Sequence, residues 1–208
     1  MEYTGITNFT NYRARALETF ITANDVFTPD ELDKICEIMS RKELFMGQVA
    51  IEQDEEILKN SRKSNIAWVN PDEETIWIFK RLNQVIEDVN NNHFNFVLNG
   101  YDSLQYTEYS AKYEGKYDYH IDSFLGANPP PTMIEFRKLS FTFLLSEPEV
   151  DYKGGRMEIL VSHNGPAVPI MKRGSIMFFP SFLLHRVAEV TEGKRKSLVG
   201  WVTGPKFR

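Results

Sequence analysis

The stretch "KRKSLVGW", residues 194–201, alternates by twos, with Arg195, Ser197, Val199 and Trp201 on one side and Lys194 and Lys196 on the other. That period belongs to a β-strand, whose successive side chains point to opposite faces. It directs Arg195 among apolar neighbours. An unpaired guanidinium in such a place costs several kcal/mol, so the strand reading brings a buried anion with it.

The same texture fills the chain after residue 100. "SLQYTEY", "YDYHID", "KLSFTFLL", "RMEILV" and "SIMFF" are short alternating runs cut by Gly, Pro and Asn, and "SHNGPA" carries Asn164-Gly165, a hairpin signal. Roughly six to eight short strands in this space predict a sandwich, barrel or jelly roll. Before residue 100 the period changes. "TPDELDKICEIMSRKE" offers Thr28 as N-cap, Pro29 at the first helical position and Glu31 to close a capping box, which predicts a helix over 29–42. "NPDEETIWIFKRLNQVIEDVNNN" repeats that grammar with Asn70, Pro71 and Glu73, and sets Ile76, Phe79, Leu82, Ile86 and Val89 on one face. The expected fold is mainly β with α: a jelly-roll core over 100–208, with a helical support region over 1–99 packed on one sheet. At 208 residues the chain suits one domain spanning 1–208.

Composition narrows the classes of function. Hydrophobic residues make up 42% and charged residues 25%, the profile of a folded soluble chain. A formal net charge of −5 gives the whole molecule no electrostatic reason to seek nucleic acid or anionic membranes. The longest apolar run, "IMFFPSFLL" at 176–184, is short for a membrane span and is broken by Pro180 and Ser181. "MEYTGITNFT" at the start lacks the pattern of a signal peptide, and the single cysteine, Cys36, reads as a small core residue. A cytoplasmic setting is the expectation.

Upstream of the arginine, "KYDYHIDSF" at 116–124 places His120 and Asp122 two positions apart. On a strand they project side by side while Ile121 turns to the opposite layer. Alone, the pair is also what an ordinary surface strand carries. His185 changes its weight: it closes the apolar run "FFPSFLLHRV", where an imidazole without a partner is costly to bury. Two histidines and one carboxylate from separate strands match the facial triad that holds non-haem Fe(II) with three positions open. Structural zinc favours four ligands including cysteine, and there is one cysteine here. A guanidinium facing the same cavity suggests a co-substrate that chelates iron at one end and carries a carboxylate at the other, which 2-oxoglutarate does. His93, near a helix end, and His163, in the hairpin turn, read as solvent-facing bystanders.

These motifs, in this order, resemble the Fe(II)/2-oxoglutarate-dependent dioxygenases of the prolyl 4-hydroxylase-like superfamily, in particular bacterial and phage-type members. The likeness rests on His-Ile-Asp at 120–122, "LSFTFLLSEPEVDYKGGRMEI", "RGSIMFFPSFLLHRV" and "EGKRKSLVGWVTGP", and covers roughly residues 100 to 205. It implies a double-stranded β-helix in which His120, Asp122 and His185 bind iron and Arg195 pairs with the distal carboxylate of 2-oxoglutarate. Ser197 lies on the face that supports that carboxylate. Tyr109 resembles the family tyrosine of the co-substrate pocket, or is a core aromatic among Tyr106, Tyr113, Tyr117 and Tyr119. O2 is the implied oxidant, ascorbate an accessory reductant, and succinate and CO2 the co-products. An intact Asp122 favours hydroxylation over halogenation.

The sequence departs from the pattern of some members of that superfamily in three places. Arg195 stands where collagen-type relatives use lysine. Arg156 follows the double glycine where many relatives are acidic. Nucleic-acid demethylases usually show a second arginine six residues after the first, and here that residue is Trp201. The implied target is a protein or peptide, with peptidyl proline first and a free amino acid or other small molecule second. "SFLGANPPPTMIEF", after Asp122, is placed to lie across the mouth of the site. Two rival classes are a catalytically silent jelly roll that senses 2-oxoglutarate and a structural protein.

Overall fold

The computed structural model describes residues 18–47, 61–101, 103–123 and 135–206. Helix α1 (Pro29–Ser40) opens as its sequence predicts. Thr28 Oγ1 accepts from Glu31 N at 3.3 Å and Thr28 N donates to Glu31 Oε2 at 2.8 Å, so two otherwise orphaned amides are satisfied. Leu32, Ile35, Ile38 and Met39 form its buried stripe.

Helix α2 (Ile76–Val89) begins later than "NPDEE" suggests. Asp72, not Asn70, organises the start: its Oδ1 accepts from Glu74 N, Thr75 N and Thr75 Oγ1. A turn over 73–75 therefore precedes the helix, and the buried face is set by Ile78, Phe79, Leu82, Ile86 and Val89. Ile76, expected on that face, is 39% exposed. The helix runs into a π-helical turn at Asn90–Phe94, closed by Asn95 in the left-handed region at φ 55°. His93 lies in that turn and is half-buried, not fully solvent-facing as expected.

Two antiparallel sheets form the rest. The larger runs in the order β1 (Ile21–Ala23), β11 (Ile176–Pro180), β7 (Phe136–Leu144), β13 (Val190–Gly204), β5 (Leu104–Ser110), β4 (Asn65–Val69) and β2 (Phe45–Met46), and β8 (Tyr152–Gly154) pairs with the start of β13. The smaller runs β10 (Gly165–Ala167), β9 (Met157–Ser162), β12 (His185–Val187), β6 (Lys116–His120) and β3 (Arg62–Lys63). The region read as helical support thus also contributes β1 to β4. Each is only two to five residues long, too short for a two-residue period to show in the sequence.

β13 sorts the molecule into layers. Leu198 and Val202 join Phe141, Phe143, Phe178 and the apolar stripes of both helices in one core, so the helices do pack on one face of the large sheet. The opposite face of that sheet meets the small sheet through Tyr109, Leu144, Met177, Phe179, Met157, Ile159 and Val187. Arg195 and Ser197, both buried, belong to this second face, as the alternation predicts. Gly154 and Gly155, at φ 72° and 57°, make the turn from β8 to β9; a Cβ at Gly154 would meet the Glu189 carbonyl at 2.4 Å. The β9–β10 hairpin forms with an exposed His163 in its turn. No described helix is long and apolar enough to cross a membrane. Of the expected lid segment, residues 124–134 lie outside the described residues.

The helix register is open to test by paired truncation. Ile78→Ala, which empties a buried site, is expected to cost about 3 kcal/mol, and Ile76→Ala under about 1 kcal/mol. Urea denaturation of both variants measures the difference.

Candidate metal and co-substrate centre

His120 ends β6 and His185 opens β12, and the two are direct partners across the antiparallel ladder. Adjacent strands lie about 4.8 Å apart, so side chains on one face of such a pair must meet. Their ring centroids are 4.2 Å apart. Asp122 arrives differently from the simple strand alternation read in the sequence. The strand stops at His120, Ile121 turns outward, and Asp122 lies in the bend that follows. There the Ser181 carbonyl accepts from both Asp122 N and Ser123 N at 2.9 Å, which draws the carboxylate back under the histidines.

Asp122 Oδ1 lies 3.7 Å from His120 Nε2, and Oδ2 lies 3.5 Å from His185 Nε2. One donor atom from each residue can be chosen so that all fall within 4.8 Å of one another. Backbone carbonyls orient both rings: His120 Nδ1 is 2.8 Å from Asp118 O, and His185 Nδ1 is 2.9 Å from Leu183 O. A carbonyl can only accept, so each Nδ1 carries the proton and each Nε2 turns its lone pair toward the cluster. Tyr117 stacks on His120 at 3.5 Å between centroids, and Phe179 meets His185 edge-on at 4.6 Å.

Electrostatics favour a cation here. Burial, and then the neighbouring His185, push His120 down to about 4, so its imidazole is neutral at neutral pH. For Asp122 burial works upward, but His185, His120 and a hydrogen bond from Ser140 outweigh it and hold the carboxyl below its usual range. Ser140 Oγ donates to Asp122 Oδ2 at 2.7 Å and is itself 2.8 Å from Ser181 Oγ. Two imidazoles with Nε2 turned inward and one carboxylate, facing a common point, are a donor set that suits Fe(II).

On the large sheet, Arg195 is 2% exposed and lies opposite Tyr109 in the ladder of β13 with β5. Its Nη1 donates to Ser197 Oγ at 3.1 Å, and its guanidinium carbon is 5.7 Å from the centre of the Tyr109 ring. The Tyr152 phenol lies beside it, raised by burial against the pull of the cation. Among the described residues no carboxylate pairs with Arg195. The geometry therefore suits an external carboxylate at this point.

A model of the 2OG-Fe(II) oxygenase superfamily matches residues 104–203, the span that holds all of these side chains. Those residues, just under half of the chain, are similar to that superfamily. A PKHD-type hydroxylase of Parvibaculum lavamentivorans is 47% identical over 64 residues, which are 31% of this chain and 28% of the relative. A PKHD-type hydroxylase of Rippkaea orientalis is 26% identical over 190 residues, 88% of this chain and 77% of the relative. The chain thus matches under a third of the length of the first and about three quarters of the second. Among solved structures, a prolyl hydroxylase from Trichoplax adhaerens, in complex with a hypoxia inducible factor peptide fragment, superposes with a TM-score of 0.68 at 18% identity, covering 88% of this chain and 82% of that one. A Pseudomonas putida prolyl-4-hydroxylase gives 0.66 at 18%, with 90% and 93% covered. At such identities the likeness speaks for the jelly-roll fold of these oxygenases.

Several residues of the centre were not singled out from the sequence. Ser140 is one of two hydroxyls inside the alternating "LSFTFLL", and Ser181 read only as a break in the apolar run "IMFFPSFLL". Tyr117 and Tyr152 carried no signal beyond aromatic content. Beneath the two histidines, on the face of the small sheet turned away from the interior, Glu158 ties three strands together. It accepts from Arg156 Nε at 2.6 Å, Arg186 Nε at 2.8 Å and the Tyr119 hydroxyl at 3.0 Å. Burial pushes its carboxyl up, but those three hydrogen bonds prevail and hold it at about 2.

Two outcomes follow from these contacts. Ser140→Ala is expected to weaken Mn(II) binding about tenfold, measured by calorimetry. Glu158→Gln is expected to lower stability at pH 7 by about 2 kcal/mol. Because the folded value, about 2, lies below the ordinary 4.5, the contribution of Glu158 is complete above pH 4.5 and is lost as pH falls through 2. The stability difference between wild type and variant, followed by denaturation against pH, should shrink over that window.

Proposed function

We propose that the protein is an Fe(II)- and 2-oxoglutarate-dependent hydroxylase acting on an unactivated C–H bond, with peptidyl proline as the first target. The observation that carries this reading is the buried Arg195, which pairs with no carboxylate among the described residues and faces the same interior as a convergent His-Asp-His cluster. His120, Asp122 and His185 would hold the metal. Arg195 would hold the distal carboxylate of 2-oxoglutarate, with Ser197 fixing the guanidinium and Tyr109 walling the pocket. The names of the Trichoplax and Pseudomonas neighbours support the choice of proline, and ascorbate is assigned as an accessory reductant.

When bound, iron and 2-oxoglutarate supply the oxidising chemistry: one oxygen atom of O2 enters the substrate and the other leaves in succinate, with loss of CO2. The chain supplies position and environment. Backbone carbonyls at both Nδ1 atoms keep the imidazoles aimed. Ser140 and Ser181 hold Asp122 in place, so the carboxylate need not reorganise. The apolar wall of Met157, Ile159, Met177, Phe179 and Val187 excludes water between the sheets and strengthens each charge contact inside.

Anaerobic addition of Fe(II) and 2-oxoglutarate is expected to produce a visible charge-transfer band, and O2 should then release succinate. His120→Ala, Asp122→Ala and His185→Ala should each abolish turnover and weaken metal binding. Arg195→Ala should leave the metal bound while raising the 2-oxoglutarate requirement about a hundredfold. Folded protein that binds Fe(II) and shows no band with 2-oxoglutarate would exclude the reading.

A further inference from the structure

Lys194 and Lys196 flank Arg195 on β13 and, by the strand alternation, project from the opposite face. There, on the helix side of the large sheet, they line a cavity of 430 Å3 together with Arg173, from the turn before β11, and with Cys36 of α1 and Leu145. Three cations from two remote segments thus share one space. Its volume falls in the range of about 300–1,000 Å3 typical of small-molecule sites.

The carboxylates nearby do not use up the donors. Glu108 accepts from Lys194 Nζ at 2.6 Å and also from the Tyr106 hydroxyl. Asp33 accepts from Arg173 Nη2 at 2.6 Å, and Leu145 O from Arg173 Nε at 3.1 Å. Asp151, the carboxylate of the cavity wall, has Oδ2 engaged by Glu147 N, and Glu147 Oε2 accepts from Arg173 N. Lys196 makes its hydrogen bonds through the backbone, to Ser146 and Leu145. Among the described residues its ammonium has no partner, and Arg173 Nη1 and the rest of the Lys194 ammonium are likewise uncommitted.

Three cationic donors around one space suit a group that carries close to two negative charges on three outer oxygens, as a phosphate monoester does. A single carboxylate, with two oxygens and one charge, would leave a cation unanswered.

We propose that this cavity binds a small phosphate monoester, its phosphoryl group held by Lys194, Lys196 and Arg173 and its organic part lying toward Cys36 and Leu145. Occupancy also reaches the co-substrate pocket, because one stretch of β13 walls both spaces. The three cations add to the attraction that Arg195 exerts on a carboxylate, and a bound dianion cancels that contribution. A ligand at the back of the sheet therefore weakens 2-oxoglutarate at the front, and by linkage the reverse holds. This coupling, unlike the site itself, rests on the hydroxylase reading above.

Calorimetry on the full-length, metal-free protein at fixed ionic strength tests the site with ribose 5-phosphate, AMP and inorganic phosphate, and with ribose, adenosine and citrate as controls. At least one ester is expected to bind, more tightly than inorganic phosphate and about tenfold more tightly than citrate, while ribose and adenosine give no heat. Lys196→Gln should weaken that ester about tenfold and Lys196→Arg should restore most of the loss. Unchanged thermal melting of both variants shows that they are folded, since the Lys196 side chain holds nothing in the described structure. No binding by either ester, citrate binding as well as the esters, or undiminished binding by Lys196→Gln would each overturn the site. Inorganic phosphate binding as tightly as both esters would replace the ester by the free ion. With Mn(II), an O2-inert stand-in, saturating ester should raise the Kd of 2-oxoglutarate about threefold in wild type and leave it unchanged in Lys196→Gln. An unshifted Kd in wild type would overturn the coupling. Protein that binds the ester but never 2-oxoglutarate would overturn the hydroxylase reading and leave the site standing.

Discussion

The ladder between β6 and β12 is the constraint on which the centre depends. It makes His120 and His185 cross-strand partners, so two residues 65 apart in the chain have no freedom but to share one face and one patch of space. Everything nearby serves that contact. The carbonyls of Asp118 and Leu183 turn the rings, and Tyr117 and Phe179 wedge them from the sides. Asp122 cannot come from the ladder, because the strand has ended. Ser181, in the turn just before His185, hauls it in through the backbone instead. One short segment therefore positions two of the three donors.

The large sheet supplies the complementary half. Its central strand, β13, has one face in the core shared with the helices and the other in the interior between the sheets. Because the first face is filled with Leu198, Val202 and the phenylalanines of β7, a slip of one residue would carry Arg195 into that core and expose its apolar partners. Packing on the helix side thus fixes where the cation sits on the opposite side. Glu158 does the same work for the small sheet, cross-linking β6, β9 and β12 from behind through Tyr119, Arg156 and Arg186.

Much of this was legible in the linear chain. The strand period of "KRKSLVGW" assigned Arg195 and Ser197 to a buried face, and the capping box at Thr28 located a helix start to the residue. Chemical type singled out His120, Asp122 and His185, since a histidine ending a long apolar run calls for a partner. Where the reading slipped, a local competitor had won. Asp72 took up the Glu74 and Thr75 amides and moved the start past Asn70, and Ile78, not Ile76, lies on the buried face. The four strands before residue 100 are too short to show a period of their own.

The sequence by itself determined which residues are chemically able to form the centre and which face of each long strand they occupy, because period and side-chain chemistry are local properties. Only the tertiary structure decided how they meet. Cross-strand register, the bend that returns Asp122 and the serine pair that holds it all depend on contacts between distant segments. Such contacts leave no mark on neighbouring residues, since the free energy that selects them arises only when two remote surfaces are brought together and water is removed from between them.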